Sequence, residues 1–113
     1  IIIIVFLNIL NKVNDNEYTF KTLIPIPFLV ILLANFHGGL AIFSYVLTIG
    51  YLFCSFFSFK FDKIIATKKS KKQKLTFVGI ILTSMLSILV NPNGLDLLLY
   101  PFMYLKYNTL YIL

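Results

Sequence analysis

Two short polar clusters hold the residue types in this chain that could do chemistry. The first is Asn35-Phe36-His37-Gly38-Gly39 and the second is Asn91-Pro92-Asn93-Gly94. His37 is the single histidine. An imidazole can hold an anionic or hydroxylated ligand, or carry a proton near neutral pH. At a helix end it can equally hydrogen-bond backbone carbonyls beside a glycine turn. Asn35 and Asn91 can orient a substrate hydroxyl, and each is also an ordinary helix-terminal residue that caps backbone. Gly38, Gly39, Pro92 and Gly94 read as turn residues. Asp96 has no carboxylate neighbour in sequence to pair with as a general acid or base, and an acid suits the first turn of a helix.

Other chemistries find no footing. Cys54, the one cysteine, sits in an apolar run; it cannot form an intrachain disulfide and has no metal-site spacing around it. The chain has no HExxH-type spacing, no glycine-rich phosphate loop and no arguable Ser-His-Asp arrangement. The sequence therefore assigns no catalytic residue, no metal ligand and no cofactor.

The elements that must position the two clusters are apolar. Of the 113 residues, 59% are hydrophobic and 12% charged, against about 45–50% and about 25% in an ordinary soluble domain. The polar residues are clumped at 11–22, 60–74 and 91–96, with long apolar runs between them. This predicts an all-α fold, a polytopic transmembrane helical bundle made of a single transmembrane region over 1–113. It has about three spans, at 23–36, 40–59 and 75–90. A truncated N-terminal span covers 1–10, since ten helical residues reach only about 15 Å. A tyrosine-rich interfacial helix covers 95–106, with Tyr100, Tyr104, Tyr107 and Tyr111 as an interfacial belt. The chain opens on Ile1 without a signal-peptide pattern, so it reads as a fragment of a larger membrane protein.

Small residues mark the packing faces. Ala41, Ser44, Thr48 and Ser55 fall on one face of a helix, and Gly79, Thr83 and Ser87 recur every fourth position. Such stripes suit close helix contacts with missing helices of the same protein.

The charge, +6 overall, comes from ten lysines against four acids. Seven of the lysines lie in 60–74. A short loop this basic stays in the cytoplasm, and topology explains it better than nucleic acid does. Counting outward, 35–39 and 91–94 then share the extracytoplasmic side of a multi-pass cell-membrane protein. Polar groups at membrane depth are costly unless they line protein or a water-filled cavity. The two clusters are thus candidates for the rim of an outward-facing cavity, with Asn35, His37 and Asn91 as its substrate-binding residues.

The order of these residues also resembles a known pattern. Ala34-Asn35-Phe36-His37-Gly38-Gly39, a hydrophobic run, a basic loop, a second run, Asn91-Pro92-Asn93-Gly94 and Tyr100-Pro101 are similar to a group of prokaryotic membrane proteins. Their motifs run Trp-Ala-Asn-x-His-Gly-Gly, Asn-Pro-x-Gly and Tyr-Pro, and they look like the GT-C superfamily of glycosyltransferases. The likeness runs from Leu33 to Pro101, and Leu33 stands where the pattern has tryptophan. It implies transfer of a sugar from a polyprenyl-phosphate carrier at the outer face. The Asp-containing loop that supplies the catalytic acid in that superfamily is not present here.

Two functional readings follow. One is part of a GT-C-like glycosyltransferase, with the lipid bilayer and a polyprenyl-phosphate sugar as partners. The other is a non-enzymatic transporter segment or small structural subunit of a membrane complex, since short Pro/Gly-interrupted spans also occur in transporters.

Overall fold

Apolar residues at Phe6, Ile9, Leu10 and Val13 repeat at helical spacing, and all four are buried in the first helix, α1 (Ile2–Asn14). The computed structural model describes residues 1–112. A polar turn with Asn16 at φ 60° leads to the one-turn α2 (Phe20–Leu23) and then α3 (Pro25–Phe36). Pro25 stands at the first helical position of α3, where its missing N–H costs nothing. α4 (Gly38–Cys54) follows after the single residue His37. A hairpin pairs β1 (Phe59–Phe61) with β2 (Ile64–Ala66), Phe59 opposite Ala66 and Phe61 opposite Ile64. Its two-residue turn has Asp62 at φ 52°. α5 (Lys71–Ile88) and α6 (Gly94–Ile112) complete the chain.

α5 is the central element, packed against α1, α3, α4 and α6. The core gathers Phe6, Leu10 and Val13 from α1 and Ile26 and Val30 from α3. Ala41 and Tyr45 come from α4, and Phe77, Ile80 and Ile88 from α5. Tyr51 leans on Phe77 with ring centres 5.8 Å apart and donates its hydroxyl proton to Asn11 Oδ1. Burial, and then the charge of Asp15, raise the Tyr51 hydroxyl above its ordinary pKa. Burial does the same to Tyr45.

The expected transmembrane bundle does not stand. The elements are helical, but among the described residues no helix is long and apolar enough to cross a membrane. α3, in place of a span at 23–36, has 12 residues and reaches about 18 Å, against a hydrocarbon core of about 30 Å. The run 40–59 does not continue as one helix. α4 stops at Cys54, Ser55 Oγ donates to the carbonyl of Leu52, and Phe59 already belongs to the hairpin. α5 has 18 residues, but it begins at Lys71 and takes Lys72 and Lys74 into its first turn, not at Leu75. The stretch 95–106 is part of the longer α6, whose Asp96, Pro101 and Lys106 interrupt its apolar face. The stretch 1–10 belongs to α1, which runs on to Asn14.

The multi-pass cell-membrane placement falls with the spans. So do the cytoplasmic side given to 60–74, the extracytoplasmic side given to 35–39 and 91–94, and the membrane and transmembrane description. The lysine segment is not a free connecting loop either. Lys69 N–H donates to the carbonyl of Ser55, and Lys68 N–H to Ser58 Oγ, which strap it to the end of α4. Lys74 Nζ lies 4.5 Å from the centre of the Phe56 ring.

The α4 stripe of Ala41, Ser44, Thr48 and Ser55 is buried throughout. The hydroxyls of Ser44, Thr48 and Ser55 bond carbonyls of their own helix. The α5 stripe is rotated from its expected place: Ser87 is buried, while Gly79 is exposed and Thr83 half-buried. The buried face runs through Gln73, Phe77, Ile80, Ser84 and Ile88. The large Phe77 and Ile80 need core volume, and they set the rotation of the helix. Ser84, fully buried, is the one described hydroxyl of this interior without a hydrogen-bond partner. Tyr100 and Tyr104 stack on one another at 6.2 Å, exposed like Tyr107; the Tyr111 side chain lies outside the described residues.

Candidate functional site

The two polar clusters meet. α3 and α5 lie side by side, and their C-terminal ends are joined by the Asn91 side chain. Its Nδ2 donates to the carbonyl of Ala34 at 3.1 Å and to Asn35 Oδ1 at 3.2 Å. Its Oδ1 accepts the N–H of Asn93 at 2.8 Å, an Asx turn that steers the chain from α5 into α6. Asn35 Nδ2 donates back to the carbonyl of Ile31 at 2.8 Å. Asn91 thus spends both amide protons and its oxygen on protein. Its geometry is that of a brace between helices.

His37 stands next to this brace as the hinge between α3 and α4. Its backbone leaves helical geometry at φ −148°, ψ 80°. Its N–H still caps the carbonyl of Leu33, and its carbonyl accepts from Leu40. The imidazole is exposed and makes no hydrogen bond with the described residues, so it does not cap α3 through its ring.

The glycines differ in what they do. A Cβ at Gly38 would come within 2.5 Å of Leu97 Cδ2, so the start of α4 packs directly on the first turn of α6. A Cβ at Gly94 would collide with the carbonyl oxygen of Ile88 and the Cα of Leu89. Gly39 has open space around it, and Pro92 is exposed. Asp96 is exposed in the first turn of α6, where its charge complements the helix dipole. Tyr45 reaches over from α4 and donates its hydroxyl to the carbonyl of Leu98 at 3.3 Å.

Among the described residues, the groups at this junction that make no hydrogen bond include the ring nitrogens of His37 and the second amide proton of Asn35. They can donate to or accept from a polar ligand. Among the described residues no hydrogen bond joins His37 to a carboxylate; Asp96 is exposed in the neighbouring first turn of α6. Replacing Asn91 with Ala should remove the brace and cost about 1–2 kcal/mol of stability, the worth of its side-chain bonds to the ends of α3 and α6. Urea unfolding monitored by helical circular dichroism measures this.

The residues that the sequence reading passed over are structural ties. Gln73 and Ser70 form a reciprocal cap, with Gln73 N–H on Ser70 Oγ and Ser70 N–H on Gln73 Oε1. The signal was present as Ser-x-x-Gln before an apolar run. Tyr18 and Thr76 share a 2.7 Å hydrogen bond across 58 positions, and no local pattern announces it. A comparison of the chain with family models, with curated proteins and with solved structures finds no match.

Proposed function

We propose that this chain is a non-enzymatic packing unit that joins a larger helical protein assembly through the outer faces of α3 and α4. The observation that carries this is the outward face of α4. Phe43, Val46, Ile49, Gly50 and Phe53 are all exposed there, with Phe53 at 65%, and no charged side chain interrupts them. A helix facing water carries polar residues on its outer side; one that is apolar all round is covered. α3 carries a second exposed apolar row, with Phe28, Leu32 and Phe36 at every fourth position. The Cα radius of gyration of 15.5 Å exceeds the roughly 13 Å of a compact domain this long. The helices therefore leave much of their apolar area for another surface to cover.

A photo-reactive phenylalanine analogue at Phe43 or Phe53, in the protein expressed in its own cells, tests this. Adducts of one discrete protein mass are expected from both positions and none from Lys60 on the hairpin. Replacing Phe43 and Phe53 together with Gln should abolish the adducts formed from a probe at Ile49 while leaving helicity unchanged, since neither ring belongs to the core. Equal labelling from all positions would refute the proposal.

A second reading is that the junction of the two clusters serves transfer of a polyprenyl-linked sugar. Its support is the Asn35–Asn91 bond, which brings together motifs 56 positions apart beside an unengaged His37. If the protein with His37→Ala consumes a polyprenyl-phosphate sugar as fast as the unmodified chain, or neither consumes it, this reading ends.

A further inference from the structure

A groove of about 480 Å³ runs between α2–α3 and α5. Phe20, Leu23, Ile24, Pro27 and Phe28 form one wall, and Thr76, Gly79 and Thr83 the other. Its volume lies within the roughly 300–1,000 Å³ of small-molecule sites. Gly79 is its floor: a Cβ built there meets nothing within 4 Å. No carboxylate lines it.

The rim at the start of α5 is cationic. Lys72 Nζ sits 5.7 Å from the centre of the Tyr18 ring, and Lys21 directly follows Phe20 of the wall. Asp15 and Glu17 stand in the loop before Tyr18, outside the lining. Thr76 Oγ1 donates to the carbonyl of Lys72 at 2.9 Å, so in its 2.7 Å bond with Tyr18 the tyrosine is the donor. Neither hydroxyl has a proton left over, and an acceptor group at the rim must be met by the lysine ammonium.

The dimensions choose between a chain and a helix as occupant. From Thr76 to Thr83 the groove follows seven residues of α5, about 10 Å. A helix lying along it would be held over only about two turns. An extended hydrocarbon chain fits.

We propose that this groove binds the anion of a single-chain fatty acid, with the acyl chain over Gly79 and the carboxylate at Lys72 beside the Tyr18–Thr76 pair. The test is isothermal titration of the intact protein with decanoate, and with decanol as the uncharged probe. Decanoate is expected to bind saturably at one per chain, more weakly as salt rises, while decanol binds less tightly and without the salt dependence. Gly79→Leu should fill the floor and weaken decanoate at least tenfold with unchanged helicity. Gly79→Ala, a smaller change that favours helix, should weaken it less. Lys72→Gln should weaken decanoate several-fold and leave decanol unaffected. Non-saturable uptake, undiminished binding by Gly79→Leu, decanol binding as tight as decanoate, or preferential displacement of decanoate by an apolar helical peptide would each overturn the assignment.

Discussion

Gln73→Leu is expected to cost about 3 kcal/mol of folding stability. The side chain is 6% exposed and joins two helices. Its Nε2 donates to the carbonyls of Val13 at 3.0 Å and Asn14 at 2.9 Å, both at the end of α1, where helix carbonyls have no intrahelical donor. Its Oε1 accepts from Ser70. Leucine has similar bulk but takes the Gln73 donor from the Asn14 carbonyl and the acceptor from the Ser70 N–H, while the Val13 carbonyl keeps only the N–H of Asn16. Each bond is worth about 1 kcal/mol net, and a stranded buried group costs about 1–3 kcal/mol. Ser70→Ala removes the cap alone and should cost about 1 kcal/mol. Urea unfolding of both variants separates the contributions. If Gln73→Leu is no more destabilising than Ser70→Ala, the tie to α1 contributes nothing.

The second large effect belongs to Gly94, where alanine should cost about 2–3 kcal/mol, as overpacking against fixed atoms does. The glycine is not in the left-handed region, since no glycine has positive φ; the requirement is for space. The Cβ would strike the Ile88 carbonyl oxygen and the Leu89 Cα, backbone atoms that cannot rotate out of the way. α6 must then lift from α5, breaking the Tyr45–Leu98 hydrogen bond. Gly39→Ala is the matched control, because the space there is open, and it should be neutral or stabilising by up to about 1 kcal/mol. Hydrogen exchange over 95–107 should accelerate in Gly94→Ala alone. Equal stability of the two variants would show that the joint tolerates a methyl group.

Some of this arrangement was legible in the chain itself. The buried face of α4 followed from Ala41, Ser44, Thr48 and Ser55, because small residues at helical spacing mark where another helix comes close. The breaks at 35–39 and 91–94 followed from Asn, Pro and Gly at turn positions, and the structure changes direction at both. The boundary of α5 was misread. Counting charge drew the edge of its helix at Leu75, whereas the Ser70–Gln73 cap puts Lys71, Lys72 and Lys74 inside it. The lysines interrupt the apolar run at one end, and the part of α5 from Leu75 to Ile88 reaches only about 21 Å, short of a hydrocarbon core of about 30 Å.

Why the breaks adjoin was not readable. Loop charge places them on one side of a bilayer that the helix lengths do not support. In the structure they meet because α3 and α5 pack side by side and Asn91 bridges to Asn35. That pairing is long-range, and no local periodicity encodes it.

Composition and period by themselves determined that the chain is helical and that its polar clusters are turns, because both properties are local. Only the tertiary structure decided which turn meets which, where Gln73 anchors, and that Phe77 rather than Gly79 faces inward. Those outcomes depend on fitting large side chains into one shared volume and on satisfying buried carbonyls from residues 59 or 60 positions away. Neither constraint exists until the helices are brought together.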